Sequence, residues 1–166
     1  MSAVVEVDVQ NASGIAQVPD EQLIGDWISQ VLAAARPGET CGFEMAVRIV
    51  GEDEGRELNK RFRRADKATN VLAFPADDAQ LAALRGDTGA RSLGDLVICG
   101  PVVLREALEQ GKDPDHHWLH LLLHGTLHLL GYDHENAQDA ADMESLETRI
   151  LATWGIADPY TAIDDV

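Results

Sequence analysis

Three histidines in this chain are spaced for metal chemistry. His124, His128 and His134 read H-x3-H-x5-H, with Gly131 between the second and the third. Residues four apart on a helix project from one face, a turn above each other, which suits two imidazoles closing on one ion. Gly131 can take the left-handed conformation that ends a helix. The chain then turns, so that His134 can swing back with a third nitrogen. Three protein nitrogens leave the fourth position of a tetrahedral zinc open to water, as catalytic sites do and closed structural sites do not. The same helix is rich in histidine: His116, His120, His124 and His128 form a stripe at successive fours. Spacing alone does not choose among the three pairs in that stripe. Gly131 and His134 favour the 124/128 pair, because only that pair sits beside a helix end and a returning ligand. For His116, His117 and His120 a packing role is the expectation, with one of them lining the cleft or supporting a ligand from behind.

The spacing matches H-E-x-x-H-x-x-G-x-x-H, the zinc motif of metzincin proteases, with one difference. Gly125 stands where the protease carries its glutamate. A metallopeptidase needs that carboxylate to take a proton from water and deliver it to the leaving amine. The site is therefore equipped for metal-assisted hydrolysis but poorly equipped for peptides. Phosphodiester cleavage asks less of a carboxylate base and more of positive groups around the charged oxygens. Those groups are present: Arg56, Lys60, Arg61, Arg63, Arg64 and Lys67 are six of the 13 basic residues. Arginine is the better fork for a phosphate, and Arg63 and Arg64 fall on a loop, with Lys67 close behind. Part of the cluster is expected to pair with Asp53, Glu54 and Glu57 on a solvated helix face. Asp133 and Glu144 are candidates for a general base.

The elements that must position these groups can be read in order. Val5, Val7 and Val9 alternate with polar residues, giving a first strand. Pro19-Asp20-Glu21 opens a helix whose apolar stripe includes Leu23, Trp27, Ile28 and Val31 and which Pro37-Gly38 ends. Met45, Val47 and Ile49 mark a second strand, and a charged helix runs from about Asp53 to Phe62. Val71 to Phe74 forms a third strand stopped by Pro75, and residues 76–93 read as an exposed, mobile loop. Gly94 to Gly100 is a fourth strand with a near-continuous apolar run, hence centrally buried. Pro101 starts a helix that ends near Gly111. Asp115 to Leu130 is the histidine helix, and Ala137 to Trp154 is a last helix with Met143, Leu146, Ile150 and Leu151 on one face. The acidic tail, 157–166, is expected to fray. Four strands followed mostly by helix give a single α+β domain over residues 1–166, with the metal site at the end of a central helix and strand order undetermined. The formal net charge of -16 sets an average field that repels nucleic acid and anionic membrane. The basic cluster is the local exception. Cys41 and Cys99 lie far apart, and the N-terminus has no basic or long apolar run, so a reduced, cytoplasmic protein outside the membrane is expected.

The sequence resembles the YbeY family of bacterial metal-dependent endoribonucleases and ribosomal RNA maturation factors. The likeness rests on His124-Gly125-x-x-His128-Leu129-Leu130-Gly131-Tyr132-Asp133-His134, on Thr69-Asn70-Val71-Leu72-x-Phe74-Pro75 and on Leu93-Gly94-Asp95-Leu96-Val97-Ile98. Leu58-Asn59, His117-Trp118 and His120 add to it, and it spans roughly residues 45 to 160. The resemblance implies a mixed four-stranded sheet with about five helices and one zinc ion per chain on His124, His128 and His134. It also implies a catalytic role for Arg63 toward RNA. Its function would be single-strand cleavage in late 16S rRNA processing and ribosome quality control, with a ribosomal subunit or ribosomal proteins as partners. Two departures stand in this chain: Ala65 where the family often has lysine, and Ala73 where it often has serine. Arg64 or Lys67 could stand in for the missing lysine as a phosphate contact. Two rival functions are a metal-stabilised ribosome assembly factor with incidental catalysis and a metzincin-like metallopeptidase.

Overall fold

Alternating apolar and polar residues make β1, Val5–Asn11, a strand with half-buried Val5, Val7 and Val9 and exposed Glu6 and Asp8. In this computed structural model, residues 5–38, 42–76, 90–132 and 137–156 are described. After β1 comes α1, Glu21–Ala35, whose N-cap Asp20 accepts a hydrogen bond from the Leu23 amide at 2.8 Å. Then follow β2 (Gly42–Val50), α2 (Glu52–Arg63), β3 (Val71–Pro75) and β4 (Ala90–Cys99). The chain continues with α3 (Gly100–Gln110), α4 (Pro114–Leu129) and α5 (Ala137–Thr153). The sheet order is β1-β2-β4-β3, with β1 and β4 parallel to β2 and β3 antiparallel to β4. One mixed four-stranded sheet and five helices among the described residues make the α+β fold that the strand and helix signals lead one to expect.

One boundary differs from the sequence expectation. Residues 90–93, read as part of a loop, belong to β4, where Ala90, Arg91 and Ser92 pair with Gly42, Phe43 and Glu44. The register shifts between Glu44 and Met45, so this extension rests on pairing to an interior strand, which local composition does not reveal. The rest of the expected loop, 77–89, lies outside the described residues, as does the tail 157–166.

The inner face of the sheet presents Phe43, Met45, Val47, Ile49, Leu96 and Ile98 to α1 and α4, and all six are buried. Helix α4 lies between the sheet and α5 and belongs to both clusters: Trp118, Leu119, Leu121 and Leu122 pack toward the sheet, and Leu123 and Leu127 pack with Met143, Leu146 and Ile150 of α5. A helix apolar on nearly every side is a core helix. Each fully buried Leu or Met contributes roughly 1.5–3 kcal/mol, so hydrophobic packing dominates the placement of α4. On the opposite face of the sheet, α2 and α3 cover Val50, Leu72, Val97 and Cys99. The Cys99 thiol is free and buried, and burial raises its pKa. Cys41 lies outside the described residues. No helix among the described residues is long and apolar enough to cross a membrane.

Two contacts fix how closely α4 sits and where it stops. A Cβ built on Gly125 would lie 2.7 Å from Leu96 Cδ2 and 3.4 Å from Val71 Cγ2, so the absence of a side chain there lets α4 approach β3 and β4. At the C-terminus, the Tyr132 amide donates to the Leu127 carbonyl at 3.0 Å and the Gly131 amide to the His128 carbonyl at 3.0 Å. This Schellman closure requires a positive φ at Gly131, where φ is 105°. The end is further held by α1: Arg36 Nη2 donates to the Leu130 carbonyl at 3.2 Å, and its guanidinium lies 5.8 Å from the centre of the Tyr132 ring.

Gly125→Glu, which restores the protease residue, is expected to destabilise the fold by about 2–4 kcal/mol through overpacking and burial of charge. Urea unfolding would measure it. A variant as stable as the parent would mean that the gap between α4 and β4 opens freely.

Candidate active site

The histidine stripe runs along α4 from its exposed first turn into a cleft. His116 at the first turn is exposed, and His117 is buried. His117 Nε2 lies 3.0 Å from Glu106 Oε1, which also accepts a hydrogen bond from Asn70 Nδ2 at 3.0 Å. Burial lowers the His117 pKa, while Glu106 pulls in the other direction. His117 is thus a core histidine, as expected, tying α4 to α3 and to the start of β3.

The next three turns bring His120, His124 and His128 to a cleft of about 700 Å³, lined across from them by Arg63 and Asn70. The Nε2 atoms of His124 and His128 approach to 3.1 Å, with ring centres 4.6 Å apart. A tetrahedral ion with bonds of about 2.05 Å holds its ligands about 3.3 Å apart. The two nitrogens therefore converge at a separation suited to sharing one ion. Among the described residues, no set of three or more His, Cys, Asp or Glu side chains is placed to hold a metal. The expected third ligand, His134, lies outside the described residues, as does the candidate base Asp133.

A residue that sequence reasoning passed over stands behind the histidines. Glu147 of α5 has no solvent exposure. Its Oε1 lies 2.6 Å from His124 Nδ1 and its Oε2 3.0 Å from His120 Nε2. The signal for it was present: Glu147 falls within the apolar stripe of Met143, Leu146, Ile150 and Leu151, where a charged residue is out of place unless paired. Glu144, weighed as a base, lies three residues earlier on the helix, is only half-buried and does not line the cleft.

The basic cluster divides into three groups. Arg56 pairs with Asp66 at 2.7 Å and 3.1 Å, and this contact raises the arginine pKa and lowers the carboxyl pKa. Part of the cluster is expected to pair outward with Asp53, Glu54 or Glu57, but the partner of Arg56 is Asp66, and Glu54 pairs with Arg48 at 2.7 Å. Lys60, Arg61, Arg64 and Lys67 are exposed and do not line the cleft. Arg64 caps α2 in the left-handed region, with φ 57°. Arg63, expected on a loop, is instead the last residue of α2, and it does line the cleft. Its Nη2 donates to the Ala73 carbonyl at 2.8 Å and its Nη1 to the Phe62 carbonyl at 3.2 Å, and its guanidinium lies 5.2 Å from the centre of the Phe74 ring. These contacts hold the fork in place while leaving the rest of its donors for a ligand. The structure thus brings His124, His128 and Arg63 to one cleft and leaves Arg64 and Lys67 outside its lining.

Known proteins share this arrangement of sequence. The family profile described as Endoribonuclease YbeY matches residues 8–155. A relative from Alkalilimnicola ehrlichii named Endoribonuclease YbeY is 53% identical over 145 residues, covering 87% of this chain and 84% of its own. Relatives of the same name from Cellvibrio japonicus and Halorhodospira halophila are 48% and 47% identical, covering 93% and 94% of this chain and 82% and 96% of their own. A solution structure of a Thermotoga maritima protein matches with a TM-score of 0.52 at 23% identity, over 94% of this chain and 99% of that one, a likeness of fold. With a match that runs through α4 and both flanking helices, the chain belongs to the YbeY endoribonuclease family.

Proposed function

We propose that this protein is a metal-dependent endoribonuclease that cuts single-stranded RNA in the cleft beside α4. The observation that carries the reading is the convergence of two imidazole nitrogens at 3.1 Å in a cleft whose other wall holds Arg63. His124 and His128, with His134 following the helix end, would hold one zinc ion. When bound, the ion would supply Lewis acidity and positive charge at the cleft. Arg63, anchored on Ala73, Phe62 and Phe74, grips a phosphate and neutralises charge that builds on its oxygens in the transition state. Asn70, in the same cleft wall, is oriented by Glu106. The packing at Gly125 supports a phosphodiester over a peptide substrate, because a general-base glutamate at that position would meet Leu96. From the family resemblance we infer that the RNA is the 16S rRNA precursor on a ribosomal subunit, with action in rRNA maturation and ribosome quality control in the cytoplasm. The acidic C-terminal region, nine acids against Arg149 from Asp133 onward, suits a basic ribosomal protein partner.

Protein with about one zinc per chain should cleave a labelled single-stranded RNA. Chelation should abolish cleavage while circular dichroism stays unchanged, since apolar packing and not metal places α4. His124→Ala should lose both zinc and cleavage; equal cleavage by parent and variant would expose a contaminating nuclease and sink the reading. If His128→Ala stays folded and loses subunit binding while cleavage persists, the assembly-factor reading gains. Arg63→Ala should keep parental zinc content and lose about 100-fold in kcat/KM. Unchanged cleavage would remove Arg63 from the reaction.

A further inference from the structure

Glu147 is a charged side chain in the middle of a hydrophobic interface, and such a residue persists only where its partners compensate its burial. Its neighbours on α5, Met143, Leu146, Ile150 and Leu151, are all buried and apolar and offer none. Compensation comes from α4. Each carboxylate oxygen meets one imidazole nitrogen, at 2.6 Å for His124 Nδ1 and 3.0 Å for His120 Nε2. A carboxylate that accepts at both oxygens would place a proton on each ring nitrogen that faces it. For His124 the consequence is specific. With its proton on Nδ1, the Nε2 lone pair is left facing His128 Nε2 at 3.1 Å. With that tautomer, His128 would be the donor in this contact and His124 the acceptor.

We propose that Glu147 is the positioning residue of the metal centre: it fixes His124 in the Nδ1–H tautomer and, through its other oxygen, ties the ring of His120 to the same charge. The proposal rests on the metal reading above and deepens it. A histidine ligand free to flip or to change tautomer must be ordered when the ion binds, whereas one held by a carboxylate is ordered beforehand and is also more basic. The 2.6 Å contact is shorter than an ordinary N–H···O bond, and the carboxylate that makes it has no exposure to water. His120 gains a defined place too. It lines the cleft without being one of the converging ligand pair, and its orientation depends on the carboxylate that orients His124.

The test uses the full-length protein and Glu147→Gln, which preserves volume and removes the charge. Two-bond proton–nitrogen spectra of histidine-labelled, metal-free parent at slightly alkaline pH should show His124 protonated at Nδ1 and bare at Nε2. In E147Q that preference should be lost. Zinc affinity, read by competition with a chromophoric chelator, should fall by about 10- to 100-fold in E147Q, with the far-ultraviolet dichroism of the metal-free form unchanged. A parent with its His124 proton on Nε2 would overturn the proposal, and that measurement needs no variant should E147Q fail to fold. Zinc binding by folded E147Q within twofold of the parent would overturn it as well. A parent that takes up no zinc would instead overturn the metal reading, and the tautomer spectra alone would then decide the role of Glu147.

Discussion

A buried carboxylate with two imidazole partners joins the last helix to the central one, and the cleft depends on that junction. Apolar contacts between Leu123 and Leu127 of α4 and Met143 and Ile150 of α5 bring the two helices together. Such contacts are non-directional and tolerate small rotations. The bonds from Glu147 are directional and set the rotation of α4 about its axis as seen from the cleft. The sheet sets the remaining coordinate, because Gly125 allows the helix to settle against Leu96 and Val71. Burial thus holds α4 in place, and the polar junction at Glu147 orients it together with those at His117 and Leu130.

The opposite wall is built by a different device. Arg63 sits at the last turn of α2, where the chain leaves the helix through the left-handed Arg64. Its guanidinium turns back onto the Ala73 carbonyl and the Phe74 face, and Phe74 is itself met edge-on by Phe62 at 5.3 Å. Among the described residues that line the cleft, Arg63 is the cation facing the histidines, while Arg56 is occupied by Asp66 and Arg48 by Glu54. The positive charge available to a phosphate in the cleft is therefore local. In a chain of net charge -16, this favours a ligand held at one point over an extended electrostatic footprint.

Much of this was legible in the sequence because its signals were periodic or stereochemical. The 3.6-residue period placed α1, α4 and α5 to within a few residues, the alternation of Val5, Val7 and Val9 gave β1, and Gly131 marked the end of α4. The stripe of histidines at successive fours foretold a shared face. The strand order was not legible, because it depends on contacts between segments distant in sequence. The extension of β4 back to Ala90 follows from pairing with Gly42 to Glu44, which local composition cannot encode. Glu147 was overlooked for a related reason. Its apolar neighbours Met143, Leu146, Ile150 and Leu151 were read as a stripe and the acid among them was passed over, although burial of that acid opposite two histidines was the informative feature.

The lock at the end of α4 bears on the order in which the molecule is assembled. Arg36 and the Leu130 carbonyl it grips are 94 positions apart in the chain. Contacts of such separation form late, after the segments they join have found each other. The turn that leads toward His134 is secured by this long-range contact together with the local Schellman bonds. A small zinc-nucleated module gathers its ligands first and folds around the ion. Under the proposed reading, an ion would enter a scaffold whose apolar core does not require it.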